Sequence, residues 1–187
     1  MALRAAQQLK QLTQWALSRL PAAPNGGRSI ASDYPDIVRE IERKFKLQSR
    51  VEWDSHGQGY ASFVDAWFYQ DTPEFRLPSV AKGSHEYLGL YVLLCRAAPY
   101  YVIGQGSKSW TDRGGSSYLP SYSGIDVLPS RAVQELSVKV EALLSARGLV
   151  RLRPADVAEE LPPDLCFDTN LTDGPHRLYD ALFFWYD

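Results

Sequence analysis

The chain has 187 residues, of which 45% are hydrophobic and 22% charged, and its net charge is −2. That length suits one domain, the apolar fraction supplies a core without disulfide or metal staples, and the slight acidity speaks against general nucleic-acid binding. No apolar run reaches the length of a membrane span, and two cysteines make no disulfide framework, so the expectation is a single domain over 1–187 in a reducing, cytoplasmic setting.

Leu3, Ala6, Leu9, Leu12, Ala16, Leu17 and Leu20 recur at helical spacing, and Pro21 and Pro24 place the end of this first helix at Leu20. Residues 1–32 carry Arg4, Lys10, Arg19 and Arg28 and no acid. Such a start suits an organellar targeting segment or a helix packed on its own domain, and the second reading is preferred. A second helix is expected over 33–45, with Pro35 in its first turn, Asp36 near its positive end, and Ile37, Val38, Ile41 and Phe45 on its buried face.

The period then changes. Residues 50–54 read as a short strand, and 60–70 are rich in aromatic and β-branched residues, with Phe63, Trp67 and Tyr69 on one face and Asp65 interrupting them. The apolar run 87–95 suits a central strand covered on both faces, and 100–104 follows after a link short enough for a hairpin. Residues 105–124, rich in Gly, Ser and Tyr, read as a long polar loop. A strong helix is expected over 129–147 on the stripe Val133, Leu136, Val140, Leu143 and Leu144, with Gly148 as its stop. A strand at 149–152 and a short helix at 154–161 follow, and 176–187 suits a helix or a buried strand equally. This order predicts an α+β fold: a central antiparallel sheet of four or more strands, flanked by N-terminal helices and the long helix near 129–147.

No motif announces a catalytic centre. Gly104-Gln105-Gly106-Ser107-Lys108-Ser109 departs from the phosphate-binding loop, because a serine separates Gly106 from Lys108 and no helix follows at once. Cys95 reads as a buried hydrophobe, and Cys166 sits among acids that disfavour a thiolate. His56, His85 and His176 are far apart, so neither a metal nor a cofactor is expected. The enzymatic alternative is a carbohydrate-active hydrolase that pairs carboxylates among Asp54, Asp65 and Glu86 beside Trp67 and Tyr87.

Charge is more informative. Residues 154–187 hold eight acids, Asp164, Asp168 and Asp173 among them, against the single base Arg177. An acidic segment interleaved with aromatic rings suits a basic protein partner. Trp110, Tyr118 and Tyr122, set among glycine and serine, have the composition of an adaptable recognition surface. The expected partner-binding set is therefore Trp110, Tyr118, Tyr122, Asp164, Asp168 and Asp173.

The chain is mildly acidic and aromatic-rich, and it ends Leu178-Tyr179-Asp180-Ala181-Leu182-Phe183-Phe184-Trp185-Tyr186-Asp187. In these features it resembles the immunity proteins of bacterial polymorphic and contact-dependent toxin systems. The resemblance implies a stoichiometric inhibitor that covers the active site of a basic toxin domain and has no turnover of its own. It assigns no individual residue a role.

Overall fold

The computed structural model describes residues 2–20, 23, 30–54, 59–78, 85–112, 114–165, 169, 171 and 175–186, with side chains from Lys10 onward. Helices α1 (Ala2–Arg19) and α2 (Tyr34–Phe45) lead into strands β1 (Gln48–Glu52), β2 (Tyr60–Ala61), β3 (Phe63–Tyr69), β4 (His85–Cys95), β5 (Tyr100–Thr111) and β6 (Gly114–Ser117). Helix α3 (Arg131–Ala146), strand β7 (Val150–Arg151), helix α4 (Leu178–Leu182) and strand β8 (Trp185–Tyr186) complete the order. The main sheet runs β1-β3-β4-β5-β6 with antiparallel neighbours, while β7 pairs in parallel with the start of β5. The expected α+β class with a central antiparallel sheet is what the chain forms.

One face of the sheet is largely aliphatic. Val64, Ala66 and Phe68 of β3 lie in register with Leu94, Val92 and Leu90 of β4, and all six are buried. Helices α2 and α3 close over this face through Ile37, Val38 and Ile41 and through Val133, Val140 and Leu144, all buried. Burial of such side chains is the main driving force for docking the helices, at roughly 1.5–3 kcal/mol each. Helix α2 ends where Lys46 turns left-handed (φ 54°) and its cap N–H meets the Glu42 carbonyl. Glu40 pairs with Arg147 and so ties α2 to the end of α3. Tyr101 points its hydroxyl toward Glu141 and Ser145 of α3, and burial pushes this phenol up to about 12.

The other face carries Phe63, Asp65, Trp67 and Tyr69 of β3, with Tyr91, Gly89 and Tyr87 of β4 and Gly104, Gly106, Lys108 and Trp110 of β5 beside them. Helix α4 covers one end, where Phe183 meets Phe63 at 6.3 Å between ring centres. Helix α1 packs on α4 and buries Leu12 and Ala16. The preferred reading of the first helix therefore agrees with its packing within the chain.

Two segments differ from expectation. The polar loop foreseen at 105–124 is instead an extension of β5 to Thr111 and a return strand, β6. Gly106 lies inside β5 because the Tyr118 ring occupies the space a side chain would fill. The ambiguous tail is both things in turn, helix α4 and then strand β8 against β2. Ser62 fixes that junction: its hydroxyl donates to the Leu182 carbonyl at 2.8 Å, and its backbone N–H to the Phe184 carbonyl at 2.9 Å.

Candidate functional site

Strand alternation puts Asp65, Trp67 and Tyr69 on a common side, and the sheet register brings them beside Tyr87, Lys108 and Trp110 from chain positions far away. Three glycines make this possible. A Cβ on Gly89 would lie 2.5 Å from Trp67 Cε2, and Cβ atoms on Gly104 and Gly106 would collide with the rings of Tyr91 and Tyr118. The rings thus lie flat on bare backbone, and the Trp67 indole N–H donates to the Gly106 carbonyl at 3.0 Å.

The result is a continuous aromatic cluster. Trp67 and Tyr69 stack at 4.7 Å, Tyr69 and Tyr87 meet at 4.7 Å, and Tyr87 stacks on Trp110 at 5.4 Å with planes 17° apart. Trp67, Tyr69 and Tyr87 are buried, while Trp110 is partly buried and is flanked by the exposed His85 at 5.9 Å. From β1, the exposed Arg50 lays its guanidinium 3.7 Å from the centre of the Trp110 ring. Asp71 accepts from the Tyr87 hydroxyl at 2.6 Å and pairs with Arg76 at 2.5 Å, and these bonds hold its carboxyl below the usual carboxylate range.

Under this cluster, toward α4, lies a buried polar group. Asp65 is 4% exposed; it accepts from the Tyr118 hydroxyl and pairs with Lys108 at 3.3 Å. Burial, followed by the negative charge of Asp65, pushes the Tyr118 phenol well above its ordinary value. The Tyr179 hydroxyl is buried nearby and has no hydrogen-bond partner among the described residues; its phenol is likewise driven up by burial.

The anticipated site residues separate into distinct environments. Trp110, Tyr118 and Tyr122 are all partly buried; the Tyr118 ring stacks on Tyr91 at 4.9 Å, and Tyr122 lies beneath the Arg177 guanidinium at 4.7 Å. Asp164 is exposed on a short turn, while Asp168 and Asp173 lie outside the described residues, as do Cys166 and His56. Cys95 is free and buried, and burial pushes its thiol up.

Several acids of the C-terminal stretch have partners within the chain. Asp156 accepts from the Arg153 N–H at 2.7 Å, Glu159 faces Arg19 at 3.8 Å, and Asp180 is buried against the Arg177 N–H at 2.7 Å. The basic first helix and the acidic end thus partly answer each other.

Of the carboxylates of the hydrolase alternative, Asp65 and Glu86 do not converge. Asp65 lies opposite Leu93, and Glu86 is seven positions from Leu93 along β4, roughly 23 Å at the strand rise, on the other face of the sheet. Sequence reasoning missed Arg50, which had only its place at the start of a strand; the register that carries it to Trp110 spans three strand pairings. Among the described residues no group of His, Cys, Asp and Glu has the geometry to hold a metal ion, and no helix is long and apolar enough to cross a membrane. Comparison with known proteins finds no matching family model, no matching curated protein and no matching solved structure.

Proposed function

We propose that this chain is a protein-binding module that acts in the cytoplasm as an immunity protein, neutralising a toxin domain by stoichiometric binding. The observation that carries the binding part is the partly buried Trp110, backed by buried rings and overlaid by the exposed Arg50. Tryptophan, tyrosine and arginine are enriched in binding hot spots, and the two aromatic residues give large contact area with few torsions to freeze. Here the supporting rings are already in place, so little ordering cost remains at association. The toxin part draws on the resemblance of the 178–187 ending.

Affinity capture from lysate and culture material of the native organism, followed by mass spectrometry, tests the reading. The expected result is one stoichiometric protein that is toxic alone and neutral in the complex. Trp110→Ala, checked for an unchanged fold by circular dichroism, should weaken that complex by roughly thirtyfold or more. Full retention by the variant would remove this face from the interface. Capture of no protein, with glycan binding at Trp110 instead, would return the chain to the carbohydrate-active alternative.

A further inference from the structure

The cations on the aromatic face are not equivalent. Lys108 is matched by Asp65 at 3.3 Å, and Arg76 by Asp71 at 2.5 Å. Arg50 has no carboxylate partner among the described residues, yet it is held in place. Its guanidinium lies over the indole of Trp110 at 3.7 Å, and from the same strand Gln48 accepts from the Tyr69 hydroxyl at 2.6 Å. The guanidinium lies against the Trp110 ring, and the Arg50 side chain is otherwise exposed.

An arginine stacked in this way has lost most of its torsional freedom before any ligand arrives. Its parallel N–H groups match the two oxygens of a carboxylate. We propose that Arg50 on Trp110 is the receptor for one aspartate or glutamate side chain of the protein partner. This inference rests on the protein-binding reading and gives it a contact chemistry. Charge complementarity selects the occupant: one uncompensated positive charge suits one carboxylate. A nucleic-acid backbone calls instead for a groove of cations following successive phosphates, and the neighbouring Lys108 and Arg76 are already neutralised by their own acids.

The test uses the full chain and three probes: poly-L-glutamate, poly-L-lysine of equal length, and an oligothymidylate. Each is titrated while the Trp110 indole N–H resonance is followed, in wild type and in the variants Arg50→Gln and Arg50→Lys. Arg50 is exposed on an edge strand, and thermal unfolding checks that both variants keep the fold. Poly-L-glutamate should shift the Trp110 resonance in a saturable way, with affinity falling about tenfold in both variants, because lysine keeps the charge and loses the fork. Equal binding by Arg50→Gln, a response to poly-L-lysine alone, or stronger binding of oligothymidylate at the same resonance would overturn the carboxylate assignment. A captured protein whose affinity ignores Arg50→Gln would also overturn it while leaving the binding function intact. Arg50-dependent binding of poly-L-glutamate without any captured protein would uphold the chemistry and remove the function.

Discussion

Asp65 is the residue on which the aromatic face depends internally. It is buried with Lys108, whose side chain is 12% exposed, and with the Tyr118 hydroxyl. Removing one member of a buried pair strands the other, which costs about 3–5 kcal/mol, whereas replacing the whole set with apolar groups of similar size is often neutral. Asp65→Ala should therefore cost about 3–5 kcal/mol in urea unfolding. The triple replacement Asp65→Leu, Lys108→Met and Tyr118→Phe should recover most of that loss. A triple variant as unstable as Asp65→Ala would show that packing, not charge pairing, sets the cost. At this scale the sequence was legible by type and illegible by partner. Asp65 is visibly an acid in an aromatic strand, but its cation is 43 positions away and enters only through the register of β3, β4 and β5.

Among the elements, the two helices over the aliphatic face were legible because an apolar stripe at helical spacing has one physical solution. The β5–β6 hairpin was not, because Gly104 and Gly106 in a serine-rich stretch look like chain breakers. Only the rings of Tyr91, from β4, and Tyr118, which folds back from the end of β6, reveal why glycine is needed inside a strand there. The candidate site followed the same division: Trp110 was found by its chemistry, while Arg50 was hidden because β1 and β5 are joined only through two intervening strands. Helix α1 offers a test at this scale. Leu12 is 2% exposed at its contact with the rest of the core, so Leu12→Ala should cost about 2–5 kcal/mol by thermal unfolding. Arg19→Ala, which removes an exposed pair with Glu159 and a contact with the Trp15 ring at 5.4 Å, should cost no more than about 1 kcal/mol. If Leu12→Ala proved harmless, α1 would lie outside the cooperative unit.

For the whole molecule, the common electrostatic theme is buried phenol. Burial raises Tyr34, Tyr91, Tyr118 and Tyr179 above their ordinary value and pushes Tyr101 up to about 12. Folding holds these groups neutral, so their contribution is complete below about pH 10, where tyrosine of the unfolded chain begins to ionise, and it is lost as pH rises through the folded values. The urea midpoint should be level between about pH 7 and about pH 9 and fall steeply above about pH 10, with tyrosinate absorbance appearing together with unfolding. Tyrosinate absorbance that rose fully before any loss of structure would place these hydroxyls in water.

The packing of α1 on α4 also bears on how the molecule is made. Roughly 160 residues separate Arg19 from Leu178, and a ribosome adding about 5–20 residues per second needs about ten to thirty seconds to cover that distance. Through that interval the stripe of Leu12 and Ala16 has left the exit tunnel and its docking surface does not yet exist. The first helix cannot dock on α4 until translation has passed Leu182. The α1–α4 contact is therefore closed long after α1 itself has been made, so α1 finds this place well behind its own synthesis.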